Sequence, residues 1–292
     1  MIEFSADAGP RLLLDEGSVL DIGACVVDGV DLSPGKAVPD DGDARISHSV
    51  EGFLFTCGPD HIRHRQPMGG AFGDRSYPLH GSFSATPAKV QWLRHEMGNA
   101  ECRADVDVVT AERLTARLER LWRIDGSTGE VFLRDRLVNT SGEPMPVFLM
   151  YHMNIGGKWF DDSVRLTGSM LEGGGFPWTF GEEHGGIFCV PAPATEHGYS
   201  EVSLGPIAAI GGKTLRVRVS AETLPFLQVW RNQKAPAHVL GIEPVSHRWV
   251  PRVELEEAGE FDILQPGEGR DFALCFAFVA APSKVDASAV AS

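Results

Sequence analysis

The sequence predicts an all-β fold, a large sandwich or barrel, and three observations lead there. Strand-like segments greatly outnumber helical ones. No stretch of helical period runs beyond a couple of turns. The 292 residues include 33 Gly and 19 Pro, the residues that punctuate a chain of short strands. The strand segments are Ile46 to Phe55, Arg113 to Ile124, Val131 to Val138, Val147 to Met153, Thr214 to Val219, Phe226 to Trp230 and Phe272 to Val279. They are rich in Val, Leu, Phe and Trp, and many alternate polar with apolar. Between them stand turn formers such as Asp125-Gly126-Ser127-Thr128-Gly129, Asn139-Thr140-Ser141-Gly142-Glu143-Pro144 and Gly211-Gly212. Trp122 to Leu133 reads as a β-hairpin closed by a glycine-containing loop.

A β domain of this kind can exceed about 250 residues without dividing. The chain is therefore read as one domain over residues 1–282, with a small, polar, frayed tail at 283–292. The Pro-, Gly- and Asp-rich stretch 33–43 and residues 172–177 are read as surface loops within that domain.

The composition narrows the function. A net charge of −14 without any run of Lys or Arg argues against nucleic acid, whose phosphates require clustered cations. No stretch approaches the ~20 apolar residues of a membrane span. The start, Met1-Ile2-Glu3-Phe4-Ser5-Ala6-Asp7, lacks the basic and apolar regions of a signal peptide. Five widely spaced cysteines with no CxxC pair support neither a zinc site nor a disulfide framework, and Cys57, Cys189 and Cys275 read as buried thiols. The expectation is a cytoplasmic protein acting on a small neutral molecule.

Four segments can carry chemistry. In Tyr77-Pro78-Leu79-His80-Gly81-Ser82, Gly81 permits a sharp turn, and His80 either caps that loop or presents an imidazole at a cavity rim. In Phe148 to Gly157 an apolar strand carries His152 and Asn154 on one face, because residues i and i+2 share a side. Two polar groups there need partners, either within the core or on a bound polyol. In Leu240-Gly241-Ile242-Glu243-Pro244 a lone carboxylate interrupts an apolar run. It is a loop residue at a strand end or a buried group with a pKa tuned for base catalysis. In Leu227-Gln228-Val229-Trp230-Arg231 an amide and a flat ring share one face, which suits either a half-polar strand or a sugar. The pair Asp161 and Asp162 is a solvated turn or a set of acceptors for sugar hydroxyls. No GxSxG elbow, P-loop or dinucleotide-binding glycine motif occurs. A metal site built on His80, His152 and Glu243 lacks the close HxH pair such sites use.

Taken in order, these segments resemble the mutarotase-like sugar epimerases, and most closely the branch known as DUF4432. The resemblance runs through Leu20-Asp21-Ile22-Gly23, Asp28-Gly29-Val30 and Phe55-Thr56-Cys57-Gly58-Pro59-Asp60. It continues through Leu79-His80-Gly81 with Pro87-Ala88, Tyr151 to Gly156 and Leu240 to Pro244, covering roughly residues 10–280. The wider aldose 1-epimerase family is similar at His80-Gly81, at His152, at Glu243 and at Leu264-Gln265-Pro266-Gly267-Glu268. That likeness implies a galactose mutarotase-like β-supersandwich. It also implies an isomerase that interconverts sugar anomers, with Glu243 as base, His152 as acid and His80 holding a neighbouring oxygen, and with neither cofactor nor metal. Asn154, Gln228, Trp230, Asp161, Lys158 and Arg75 are the implied substrate contacts. The family's arginine upstream of the His-Gly segment corresponds to Arg63, Arg65, Arg75 or none of them, and Arg75 is the one taken. His152 is followed by Met-Asn where the family has Tyr-Phe-Asn. Gly157-Lys158-Trp159-Phe160-Asp161 replaces a Pro-Leu-Leu-Asp-like segment, and its cation admits an anionic sugar (phosphate, sulfonate or uronate). The implied partner is a monosaccharide or derivative, with neither nucleic acid nor membrane, and a homodimer is left open. The alternatives are a sugar-binding or sensing module that has lost catalysis, and a polysaccharide lyase or hydrolase, for which this chain lacks a helical half.

Overall fold

The computed structural model describes residues 1–36 and 43–280. Residues 37–42 of the expected loop 33–43, and the expected tail 283–292, lie outside them. In chain order the principal strands are β1 (Ile2–Phe4), β2 (Arg11–Asp15), β3 (Asp21–Val27) and β4 (Leu54–Cys57). Then follow β5 (Lys89–Glu96), β6 (Asn99–Val109), β7 (Thr115–Ile124), β8 (Val131–Asn139) and β9 (Met150–Gly156). The rest are β10 (Arg165–Gly168), β11 (Gly175–Pro177), β12 (Gly185–Pro191), β13 (Tyr199–Ile207), β14 (Lys213–Ser220), β15 (Phe226–Asn232), β16 (Val239–Val245) and β17 (Gly269–Val279). The two helices are short, α1 (Ala44–Glu51) and α2 (Arg252–Glu257).

Two large antiparallel sheets result. One runs β1-β2-β3-β4-β9-β16-β15-β12 and the other β11-β10-β13-β14-β17-β8-β7-β6-β5. The fold is all-β, as composition and periodicity predict, and Ile124 pairs with Val131 across the expected hairpin. One segment differs. Residues 46–51 are helical rather than extended, and the strand begins only at Leu54. Ile46 and Val50 stand four apart, a helical spacing, and the Asp43 carboxylate accepts from the Arg45 N–H at the helix start. Ile46 and Val50 consequently face one way and are buried.

Period-two alternation divides the first sheet into two differently used faces. Tyr151, Met153 and Ile155 of β9, Leu240 and Ile242 of β16, and Leu227 and Val229 of β15 point inward and join Trp122, Leu133 and Phe276 in the core between the sheets. Their neighbours Phe55, Met150, Val239 and Val245 point to the far side, where Ile46 and Val50 of α1, Ile62, Leu79 and Leu255 of α2 cover them in a second, smaller cluster. Hydrophobic burial at ~25 cal/mol per Å² supports both layers.

The main core encloses one charged cluster. Arg120 of β7 is wholly buried and bonds Asp135 through Nε at 2.9 Å and Nη2 at 2.6 Å. Its Nη1 reaches Asp21 Oδ1 at 2.7 Å and the Val19 carbonyl at 2.8 Å, and Nη2 also reaches Thr56 Oγ1 at 2.7 Å. Tyr151 donates its hydroxyl to Asp135 at 2.8 Å. These contacts tie β3, β4 and β9 of one sheet to β7 and β8 of the other, directly behind the strand that carries His152.

Candidate active site

The outward face of the first sheet holds the polar residues that interrupt its apolar strands. In the β9–β16 ladder Met150 faces Val245 and Met153 faces Ile242, a register that places His152 opposite Glu243. Glu243 in turn faces Gln228, Trp230 faces Gly241, and Phe55 faces His152. Three adjacent strands thus bring His152, Glu243, Gln228 and Trp230 together, although they are up to 91 residues apart in sequence.

His152 Nε2 lies 3.2 Å from Glu243 Oε1, and Gln228 donates its side-chain N–H to Glu243 Oε2. The imidazole of His152 stacks on Phe55 with ring centres 4.6 Å apart, and meets His80 and Trp230 edge-on at 5.5 and 5.6 Å. Gly241 is needed for this packing. A Cβ there would stand 2.5 Å from Glu243 Oε1 and 3.3 Å from His152 Cε1, so only a glycine leaves the carboxylate its place.

His80 comes from the loop between β4 and β5. Its backbone is left-handed, with φ +56°, a conformation that an ordinary residue adopts only when surroundings enforce it. The enforcement is visible: His80 N–H donates to the Arg63 carbonyl at 2.8 Å, and its carbonyl accepts from Gly58 at 3.0 Å. Gly81, with φ +83°, packs so closely that a Cβ would lie 2.2 Å from the His61 carbonyl oxygen. His80 Nδ1 donates to the Ile62 carbonyl at 3.2 Å, which leaves Nε2 as the acceptor of the neutral ring.

Burial sets the charges. Desolvation raises Glu243 from 4.5 to about 7, although the Gln228 hydrogen bond and the positive charge of Arg63 pull the other way. Desolvation likewise lowers His152 to about 3, partly offset by the Asn154 amide, and lowers His80 to about 3 with help from His152. Near neutrality the two histidines are uncharged and Glu243 sits at its titration midpoint. Among the described residues Glu243 Oε1 and His152 Nδ1 have no hydrogen-bond partner, and unmet polar groups in a cavity are what a ligand satisfies.

These groups line a cavity of about 150 Å³, walled by Ile46, Val50, Ile62 and Leu79 and reached past Ile187 and Trp249. It is smaller than the ~300–1,000 Å³ of drug-sized sites, and matches one sugar ring better than a chain of them. Of the residues singled out in the sequence, His80, His152, Glu243, Gln228 and Trp230 line it. Asn154 lies beneath, fully buried, with its amide N–H on the Val50 carbonyl at 3.1 Å. Asp161 is an exposed turn residue bonded to Ser163, and Asp162 is exposed beside it. Lys158 is exposed over the Trp159 ring, and Arg75 is exposed and donates to the Ala111 carbonyl. None of these four reaches the cavity. Arg63 does, a candidate for the family's arginine that was passed over for Arg75, as do Trp249 and Ile187, neither of which sequence reasoning had separated from ordinary loop and strand residues. For Arg63 the signal was its place upstream of His80-Gly81, where the resembling family has its substrate-binding arginine. For Trp249 there was none.

Among the described residues no group of three or more His, Cys, Asp or Glu side chains is arranged to hold a metal ion, and no helix is long and apolar enough to cross a membrane. All five cysteines are free, four of them buried and Cys189 half-buried.

The sequence profile of the domain of unknown function DUF4432 matches residues 13–167 and 182–278. The chain belongs to the DUF4432 family. Comparison with curated proteins gives no match. Among solved structures the chain is similar to a candidate aldose 1-epimerase from Klebsiella pneumoniae, with a TM-score of 0.77 at 17% identity over 96% of this chain and 79% of that one. It is also similar to a galactose mutarotase-like protein from Clostridium acetobutylicum, at 0.68 and 16% over 94% and 93%. A third similar structure is the GalM/aldose epimerase homologue from C. elegans, at 0.60 and 13% over 96% and 99%. The two-sheet architecture of this DUF4432 chain is therefore the galactose mutarotase-like fold.

Proposed function

We propose that this DUF4432 protein is an aldose 1-epimerase-like isomerase that interconverts the anomers of a monosaccharide by acid–base ring opening. The observation that carries the reading is the 3.2 Å contact between His152 and Glu243 on the floor of a cavity sized for one sugar. Ring opening requires one group to take the proton from the anomeric hydroxyl while another delivers one to the ring oxygen. Two titratable groups in contact, holding one proton between them, meet that need. Glu243 acts as the base and His152 as the acid in one direction, and they exchange roles when the ring closes on the opposite face. His80, neutral with Nε2 as acceptor, holds a neighbouring sugar hydroxyl by accepting a hydrogen bond from it. Gln228 steadies the carboxylate, and Trp230 offers its ring to the C–H face of the sugar. The sugar's own latent aldehyde supplies the electrophile. Acid–base help of ~10²–10⁴-fold per group suffices for a reaction that already proceeds slowly in water.

Exchange NMR on α- and β-anomers of a panel of aldoses, with protein added in catalytic amount, tests the reading. Accelerated exchange for some sugar, lost in Glu243→Gln and in His152→Ala, is the expected result. Tight sugar binding without accelerated exchange would instead identify a binding or sensing protein on the same fold.

A further inference from the structure

Beside the candidate active site lies a second cavity, of about 320 Å³, lined along one side by His61 to Gln66 and along the other by Phe148, Trp249 to Arg252 and Leu255. The two cavities meet at Ile62, Arg63, His64 and Trp249, which line both. In a protein of net charge −14, the described lining of the second cavity contains three arginines and no carboxylate.

Those arginines are not equivalent. Arg252 is fully engaged: it donates to the Asp60 carbonyl at 2.6 Å and to Glu112 Oε1 at 3.1 Å, and lies against the rings of Tyr77, Phe148 and Phe261. Arg65 is largely exposed, with Asp43 3.8 Å away. Arg63 stands at the junction. Among the described residues its Nε and Nη2 are buried without any hydrogen-bond partner, and its only side-chain bond is a long one, Nη1 to the Val250 carbonyl at 3.5 Å. No carboxylate lies within ion-pair distance of it among the described residues, although Glu243 is near enough for their charges to interact. Arg63 is half-buried, and leaving its shielded Nε and Nη2 without an acceptor is costly. An anion brought by the ligand would satisfy it with charge-assisted bonds. The backbone of Arg63 is fixed, since its carbonyl accepts the His80 N–H, so any anion it holds is registered against the catalytic histidines.

We infer that the junction of the two cavities is an anion subsite in which Arg63, assisted by His64 and Arg65, holds the single negative group of an acidic sugar. The substrate is then a sugar carrying one carboxylate, phosphate or sulfonate, held with its anomeric centre at Glu243 and His152. The inference rests on the epimerase reading for the chemistry, but the anion subsite is separately measurable. It also moves the cation that selects an acidic sugar from Lys158, which is exposed outside the cavity, to Arg63.

Matched pairs of neutral sugar and acidic derivative provide the test: glucose against glucuronate, glucose 6-phosphate and the 6-deoxy-6-sulfonate, with the galacto and manno series alongside. Anomer exchange with the full-length wild type should favour an acidic member over its neutral partner by tenfold or more in kcat/KM in at least one series. Arg63→Met should bring that ratio close to one while the melting transition stays cooperative, and Arg63→Lys should recover part of it. The anion that gives the largest ratio identifies the source. Neutral sugars exchanged as well as every acidic partner, or an Arg63→Met loss equal on both, would overturn the subsite. Should no sugar of either kind be exchanged, the epimerase reading fails and the subsite is decided by calorimetry with glucuronate, glucose 6-phosphate and inorganic phosphate. Binding in wild type that disappears in Arg63→Met upholds it; no anion binding overturns it.

Discussion

His152 Nε2 stands 3.2 Å from Glu243 Oε1 in a layer where both side chains are almost wholly removed from water. Neither residue can be treated alone at that distance. In the proposed reaction the proton passed between them belongs to the pair, and its titration reports the pair.

The first prediction concerns pH. Burial pushes Glu243 up to about 7 and His152 down to about 3, so the pair holds one proton between those limits. That singly protonated pair is competent whichever member carries the proton. Enzyme-catalysed exchange, after subtraction of the buffer-catalysed rate, should therefore fall about tenfold per pH unit above pH 7 and stay flat below it for as long as the fold persists. A rate that climbs through pH 7 would mean that ionised Glu243 beside a neutral His152 is sufficient, and the shared proton would be wrong.

The second concerns Glu243→Gln. The amide keeps the shape and can still accept from Gln228, but it can neither take nor give the proton. Exchange should drop by ~10²–10⁴-fold. Stability should move the opposite way. A carboxyl whose folded pKa is raised above its unfolded value binds more protons folded than unfolded between the two, so wild-type stability declines as pH rises from 4.5 to about 7. The variant escapes that decline. Thermal melts should show it more stable than wild type at pH 8 and close to it at pH 5. An equal gap at both values would mean that Glu243 is not a buried, titrating group.

Much of this arrangement was legible in the sequence, and the parts that were not have physical reasons. Period two in Phe148 to Gly156 and in Phe226 to Trp230 put His152, Gln228 and Trp230 on strand faces, and the odd carboxylate in Leu240 to Pro244 marked Glu243. The convergence of the strands depends on sheet order, β4-β9-β16-β15, which no local pattern encodes. The Ile46 to Phe55 segment was misread because its apolar residues fit a buried strand as well as a short helix, and the deciding Asp43 cap lies outside the run. Arg75 was preferred over Arg63 because both precede His80-Gly81, and only the backbone bond from His80 to the Arg63 carbonyl fixes which one turns toward the cavity. Arg120 was passed over entirely. A charged residue at a strand position reads as solvent-facing, and its four polar partners come from three other strands and a turn.

That buried cluster yields a third prediction. Arg120→Met keeps the volume of the side chain but leaves Asp21 and Asp135 without their cation in the core. Breaking a buried ionic group from one side costs ~3–5 kcal/mol. Asp21 is already raised to about 6 by burial even with Arg120 present, and a carboxyl with a raised folded pKa loses its stability as pH rises through that value. Urea titrations should therefore show a large loss at pH 5 and a larger one at pH 8. A loss below ~1 kcal/mol at both would show that water or rearrangement takes over the role of the arginine.

The last prediction separates the position of the carboxylate from its chemistry. At Gly241 the backbone is extended and any residue could adopt it, so a substitution there acts through space alone. The Cβ of Gly241→Ala would sit 2.5 Å from Glu243 Oε1, well inside contact, and 3.3 Å from His152 Cε1. The adjacent strand centre is rigid, so the carboxylate must swing away from both Nε2 of His152 and the Gln228 amide. A displacement of about 1 Å in a catalytic group can cost on the order of 10²-fold. Exchange should fall by that order in kcat, while the fold survives, because the strand pairs Trp230 with Gly241 through backbone bonds that the methyl does not touch. The pH profile distinguishes displacement from mere damage. With the carboxyl and imidazole moved apart, the alkaline limb near 7 should shift along with the lost rate. A Gly241→Ala protein that keeps both its rate and its limb would show that Glu243 has room the packing does not reveal, and that its contact with His152 is not what sets the reaction.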